Sequence, residues 1–131
     1  MRDDPRSEPL TDPDPIPPET QSQEQKLQTM LSALWDRSRH TVVERAALLQ
    51  EAGALLTGNR LDEATRQSAV DSAHKLAGVL GTFGLPQGTE LAREAEIFFG
   101  RSTPPDKKEI EQIQVLLAEL ARLVERGPLG P

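Results

Sequence analysis

The sequence predicts an all-α protein, an antiparallel up-and-down four-helix bundle with an additional N-terminal helix. Apolar residues recur at spacings of three and four along most of the chain, as on one face of a helix. No useful stretch alternates apolar and polar residues with the period of two that a strand requires. The connections between the apolar segments are short, which favours antiparallel neighbours. With 131 residues and no cysteine, the chain can build one domain around a modest core.

Both ends of the chain differ from its middle. Residues 1–19 hold six prolines, six acidic residues and two arginines, and they lack the apolar surface that would offset the entropy of ordering. We therefore expect a disordered acidic, Pro-rich leader there and a helical bundle over residues 20–126. Glycine and proline dominate residues 127–131, which are expected to form a linker or tail.

Two helices are predicted before residue 60. Residues 20–23 and 41–44 both have the Thr-x-x-Gln/Glu spacing of a capping box, so each predicts a helix N-terminus. The second helix would end at Gly58 and Asn59, and the two helices can also be joined through a kink near residues 38–41. Their apolar faces consist of Leu27, Met30, Leu31, Leu34 and Trp35 in the first helix, and of Val42, Ala46, Leu49 and Leu56 in the second.

Three more helices follow. One begins at Asn59 or Asp62 and runs to about Phe83, and the next covers about residues 87–99. The last is predicted to begin with Thr103 as its cap and Pro104 at its first position. Their apolar stripes are Ala69, Ala73, Leu76, Leu80 and Phe83; then Leu91, Ala95 and Phe98; then Ile110, Ile113, Leu117, Leu120 and Val124.

Composition excludes several functions. The leader carries a charge of −4 of the total of −6, so the remainder is nearly balanced and lacks the basic face of a nucleic-acid binder. No apolar run approaches the roughly 20 residues that cross a bilayer, and the default is a cytoplasmic protein. Two histidines without cysteine match no zinc spacing, and phosphate-loop and Gly-x-Ser-x-Gly patterns are missing. We expect no metal site, no cofactor and no ATP-dependent kinase activity.

The segment from Ala73 to Leu85 carries the chemistry. In a helix, Gly78 lies about 40° around the axis from His74, and Gly81 lies about 20° on its other side. Each glycine inside a helix costs roughly 1 kcal/mol relative to alanine, so two glycines beside a histidine indicate a need for access. An exposed imidazole is largely uncharged near neutral pH and offers a nucleophilic lone pair. Lys75, the next residue, can reach phosphoryl oxygens as a point charge.

The same segment resembles the signature of histidine-containing phosphotransfer (HPt) domains. The shared features are an Ala-His pair, a leucine two residues later, a glycine four residues after the histidine and a later Gly-Leu pair. The resemblance implies a four-helix bundle, His74 as phosphoacceptor, Gly78 as the position that gives a partner clearance, and Leu76 in the core. Family members often carry lysine where this sequence has Ala77.

The resemblance also implies a partner, the receiver domain of a response regulator or of a hybrid histidine kinase. His74 would take a phosphoryl group from one receiver aspartate and return it to another, and any Mg²⁺ is expected on the receiver. Gly81 is assigned to clearance together with Gly78. We expect a monomeric domain that acts as a carrier and not as an enzyme.

Two other functions are compatible with a helical chain. One is a helical interaction or dimerisation module that is never phosphorylated, which would not require a histidine flanked by glycines. The other is the dimerisation and phosphoacceptor domain of a sensor kinase. In those domains an acidic residue usually follows the histidine and a proline comes a few residues later, whereas this chain has Lys75 and Val79.

Overall fold

The described part of the protein is built from α-helices. The computed structural model describes residues 18–128, which contain four helices and no strand: α1, Pro18–Leu55; α2, Glu63–Thr82; α3, Pro86–Gly100; and α4, Lys107–Arg126. The predicted all-α class is therefore confirmed. Most of the predicted leader, residues 1–17, and residues 129–131 of the predicted tail lie outside the described residues.

The additional N-terminal helix is not a separate element, and that part of the prediction is wrong. A single helix of 38 residues, α1, takes the place of the two helices predicted before residue 60. Trp35, Val42, Ala46 and Leu49 are all buried. They follow one another at intervals of seven, four and three residues. This spacing places them on one face of a helix only if that helix is continuous from Trp35 to Leu49. The Thr41 capping pattern therefore lies inside a helix.

The chain divides into two compact units, one up to Ala33 and one from Leu34 onward. In the first unit, α1 exposes Leu27 and Met30, whose exposed fractions are 56% and 60%. These side chains belong to the apolar face predicted for the first helix, and they are not core residues. The candidate site lies in the second unit.

All four helices contribute to the core of the second unit. Its largest fully buried side chains are Phe99, Leu49, Leu76, Leu80, Leu117, Leu120, Val42 and Val124. Burial of each such leucine contributes about 1.5–3 kcal/mol relative to an exposed position. The apolar stripes predicted for the last three helices thus supply most of the core.

Helices α2 and α3 run in opposite directions. Near the start of α2, the Arg66 guanidinium donates to the backbone oxygen of Phe99, close to the end of α3. Further along α2, the carbonyl oxygen of Ala77 accepts a hydrogen bond of 3.2 Å from the hydroxyl of Thr89, near the start of α3. The two contacts fix which residues of α2 and α3 face each other.

Helices α1 and α4 are also antiparallel neighbours. Arg39, in the middle of α1, donates to the backbone oxygen of Glu125 near the end of α4. Gln114, earlier in α4, donates to the carbonyl oxygen of Gly53 at 3.0 Å, close to the end of α1. Gly53 is packed closely, because a Cβ added to it would lie 2.8 Å from the side chain of Leu117.

Helix α2 begins at one of the two predicted positions. Asp62 is its N-cap, and its carboxylate accepts a hydrogen bond of 2.7 Å from the backbone amide of Thr65. Hydrogen bonding to the Thr65 side chain, followed by that to its backbone amide, lowers the pKa of Asp62 from its ordinary value, because these bonds favour the charged form of the carboxylate. Phe83 is the C-cap of α2, so the helix ends where the sequence predicted.

Helix α4 begins later than predicted. Its N-cap is Asp106, which forms a capping box with Glu109, and not Thr103. The reason is the Pro104-Pro105 pair: a proline disfavours the helical conformation of the residue before it, so Pro104 cannot be the first helical residue. At the other end, Gly127 has a φ of 70°, and a Cβ there would lie 2.8 Å from Trp35 Nε1.

Candidate functional site

The packing of α2 turns His74 outward. Ala73, Leu76, Ala77 and Leu80 on the same helix are buried, and they commit one face of α2 to the core. The His74 side chain lies on the opposite side and is 73% exposed. The exposure that the phosphoacceptor hypothesis requires is therefore present.

The imidazole of His74 has a partner on another helix. Its Nδ1 lies 3.0 Å from Oε2 of Glu96, on α3. The Glu96 side chain is only 30% exposed, so the carboxylate is held in place by its surroundings. An ionised carboxylate only accepts hydrogen bonds, so in the neutral ring this contact favours the tautomer with the proton on Nδ1 and the lone pair on Nε2.

A groove of about 760 Å³ separates α2 from α3 beside the imidazole. We call it the His74 groove. It is lined by Val70, His74, Ala77, Gly78, Arg93, Glu96, Ile97, Gly100 and Arg101. Ile97 is an unusually exposed apolar side chain, with an exposed fraction of 71%. The groove therefore combines an exposed imidazole, the charged side chains of Arg93, Glu96 and Arg101, and an apolar side chain that a partner can cover.

The two predicted glycines have different surroundings. Gly78 lines the His74 groove, and a Cβ added to it would meet no atom within 4 Å. Gly81 is not among the groove residues, and a Cβ there would lie 3.5 Å from the Thr89 hydroxyl oxygen. The open space next to the imidazole thus lies on the Gly78 side.

Lys75 is exposed but does not line the His74 groove. Its ammonium nitrogen lies 2.9 Å from Oδ2 of Asp71, one turn earlier on the same helix. The side chain is 52% exposed, and an exposed ion pair of this kind is easily broken. The structure brings His74 and Gly78 together, whereas Lys75 is engaged with Asp71.

Arg101 connects the end of α3 to the start of α4. Its guanidinium contacts both carboxylate oxygens of Glu109, at 3.0 and 2.8 Å. The hydrogen bonds from Arg101, followed by that from the Asp106 backbone amide, lower the pKa of Glu109 to about 2. The positive charge of Arg101 is therefore already balanced within the protein.

The sequence did not point to Glu96, Arg93 or Ile97. All three lie on α3, about 20 residues after His74, and their relation to the histidine depends on which faces of α2 and α3 meet. A spacing of three or four residues places Arg93 one turn from both Glu96 and Ile97 on one helix face. This pattern alone resembles any exposed helix, so no local signal marked these residues.

The described residues show neither a metal site nor a membrane span. Within residues 18–128, no three His, Asp or Glu side chains are grouped closely enough to hold a metal ion. None of the four helices combines the length and the apolar character needed to cross a membrane.

Comparison with known proteins identifies the family. The sequence model of the Hpt domain matches residues 20–126, and the chain therefore belongs to the Hpt domain family. Among curated proteins, Protein RcaC of Microchaete diplosiphon is 29% identical over 108 residues. The similar region covers 82% of this chain and only 16% of RcaC. No solved structure gave a significant match.

Family membership confirms the resemblance seen in the sequence. It associates the chain with two-component phosphorelays in general, in which Hpt domains act as phosphoryl carriers and not as kinases. Hpt domains in phosphorelays interact with receiver domains.

Proposed function

We propose that the protein carries a phosphoryl group on His74 in a multistep phosphorelay, taking it from the aspartate of one receiver domain and passing it to that of another. One observation carries this proposal: an exposed imidazole whose Nδ1 is held 3.0 Å from the Glu96 carboxylate. With Nδ1 engaged by Glu96, Nε2 is the ring nitrogen that we propose as the nucleophile, and the 73% exposure of the side chain supports its access to a partner.

The transfer step needs no base. The Nε2 lone pair forms a bond to the phosphorus of an aspartyl phosphate, the bond from phosphorus to the aspartate oxygen breaks, and the electron pair leaves on the aspartate carboxylate. Nε2 carries no proton, so none has to be removed. The ring becomes a phosphorylated imidazolium, and the Glu96 carboxylate balances its charge through the Nδ1 proton. The return transfer reverses these steps.

The surroundings of His74 suit a bulky partner. A receiver has to bring its aspartate to within bonding distance of Nε2, and Gly78 removes the side chain that would stand in its way. Ile97 offers an exposed apolar contact beside the same groove. We propose that the receiver also supplies Mg²⁺, so that this chain provides the nucleophile and the docking surface.

The other features of the sequence prediction remain proposals. We propose an acidic, Pro-rich leader before the bundle, a phosphotransfer bundle over residues 20–126, and a linker or tail over residues 127–131. The last two residues of the leader predicted over residues 1–19 lie in α1, which begins at Pro18. A cytoplasmic location and a monomeric domain are the simplest arrangement for a carrier that meets more than one receiver.

The test is transfer of labelled phosphate from a phosphorylated receiver. The wild type and His40→Gln should acquire acid-labile label, whereas His74→Gln should acquire none. His40→Gln is the matched control, because it removes the other histidine of the chain. Label that persists in His74→Gln would reject the assignment, and binding of the receiver without label in any variant would support the interaction-module alternative.

A further inference from the structure

The His74 groove contains a positive charge to which the sequence assigns no role. Arg93 lines the groove together with His74 and Gly78, its side chain is exposed, and it forms no ion pair with any residue that the structure describes. Arg101, which also lines this groove, is bound to Glu109 through both of its terminal nitrogens. Arg93 is thus the guanidinium of this groove that is available to a ligand.

The helix register places Arg93 beside the site of phosphorylation. Glu96 contacts His74, and Thr89 contacts the carbonyl oxygen of Ala77. Arg93 lies between Thr89 and Glu96 on α3, so in this antiparallel pair it is level with the turn of α2 between His74 and Ala77. The open space above Gly78 adjoins that turn.

A phosphoryl group in this place needs a cation. It adds a charge of about −1.5 to −2 at neutral pH, next to the carboxylate of Glu96. Ala77, one turn after His74, has no charge to offer, and Lys75 is paired with Asp71 outside the groove. A guanidinium can bind two phosphoryl oxygens at once, which an ammonium group cannot do with the same geometry.

We propose that Arg93 is the phosphoryl-binding residue of this protein: its guanidinium reaches across the His74 groove and binds the phosphoryl oxygens on His74. The inference rests on the proposed function, since it takes His74 as the phosphoacceptor. In this proposal two residues of α3, one turn apart, have different roles. Glu96 orients the ring and balances the imidazolium, and Arg93 neutralises the phosphoryl group.

The experiment uses phosphoramidate, a small phosphoryl donor, so that it does not depend on any receiver. In a His40→Gln background, the only phosphohistidine is that of His74, and its titration from monoanion to dianion is followed by ³¹P NMR. Arg93 favours the dianion. Arg93→Gln should therefore move the titration to higher pH by roughly one unit, which is about a tenfold change in proton affinity. Arg93→Lys should give a smaller shift.

The control is Arg122→Gln, which removes the same charge from an exposed position on α4 and should titrate like the parent. An unchanged titration in Arg93→Gln, with the fold intact by circular dichroism, would overturn the proposal. Failure of phosphoramidate to label His74, while it labels His40 in the wild type, would overturn it as well. Absence of transfer from a receiver would instead count against the proposed function, and the titration would still report on Arg93.

Discussion

The two histidines of the chain, His40 on α1 and His74 on α2, have similar exposure but different surroundings. Their side chains are 83% and 73% exposed. Each has a ring nitrogen close to a glutamate oxygen, at 3.2 Å from Glu44 for His40 and at 3.0 Å from Glu96 for His74. Neither exposure nor a carboxylate partner therefore distinguishes them.

The two histidines differ in the helix that supplies the glutamate partner and in the space beside the imidazole ring. Glu44 lies one turn from His40 on the same helix, and its side chain is 64% exposed, so it can move away freely. Glu96 comes from a second helix and is more than half covered. The ring of His74 is thereby fixed between two helices, with a groove and a glycine next to it. We propose that these two features, an oriented ring and an open approach, suit His74 and not His40 to the role of phosphoacceptor.

Gly78→Gln tests whether a receiver needs the open space beside His74. No atom lies within 4 Å of a Cβ at this position, so the helix should remain intact, and the loss of a helical glycine favours it by about 0.5–1 kcal/mol. The new side chain fills the space that a receiver needs, and phosphotransfer should slow by roughly 100-fold. Stopped-flow or quenched transfer assays measure this rate.

The matched control adds the same side chain elsewhere on α2. Ser68 is exposed and lies outside the His74 groove, so Ser68→Gln should transfer at the rate of the wild type. A folded Gly78→Gln protein with unimpaired transfer would refute the clearance account.

The fixed orientation is tested by Glu96→Ala. Without this carboxylate, the Nδ1 proton loses its acceptor and the imidazolium loses its counter-charge, so transfer should slow by roughly tenfold. Nitrogen NMR of the ring should also show a smaller fraction of the tautomer protonated on Nδ1. Glu44→Ala, at the corresponding contact of His40, should change neither quantity. Equal effects of the two substitutions would mean that the interhelical contact has no special role.

The smallest effect on transfer is expected from Glu109→Gln, near the start of α4. The low pKa of Glu109, about 2, is caused first by its hydrogen bonds to Arg101. A depressed carboxyl pKa stabilises the fold above the ordinary value of 4.5, and this contribution is lost as the pH falls towards about 2. Thermal unfolding of the wild type should therefore depend more steeply on pH in this range than that of Glu109→Gln.

At neutral pH the transfer rate of Glu109→Gln should remain within about twofold of the wild type, because Glu109 does not line the His74 groove and the substitution leaves Arg101 in place. A large loss of transfer without a loss of fold would assign Arg101 a direct part in the reaction.

The centre of the candidate site could be predicted because its residues are local. His74 and Gly78 lie four residues apart on one helix, so helical geometry alone places them side by side. Glu96 and Arg93 could not be found in this way. Glu96 contacts His74, and Arg93 lines the same groove, only because apolar residues such as Ala73 and Leu80 bury one face of α2. That register is a result of packing in three dimensions.

The helix ends also show how far local sequence signals can predict the structure. Asp62, one of the two predicted starts of α2, is the observed one, because its carboxylate accepts a hydrogen bond from the backbone amide of Thr65. At Thr41 the same kind of local signal failed, since the buried stripe from Trp35 to Leu49 continues through it. Burial of several side chains outweighs one capping interaction of about 1 kcal/mol.

The most direct test of the account is to identify the phosphorylated nitrogen. The protein, labelled with ¹⁵N at histidine, is phosphorylated by a receiver and examined by long-range ¹H–¹⁵N and ³¹P NMR. The account predicts a single phosphohistidine, at Nε2 of His74, with a proton on Nδ1 and an unchanged His40. A phosphoryl group on Nδ1 of His74, or on His40, would contradict it.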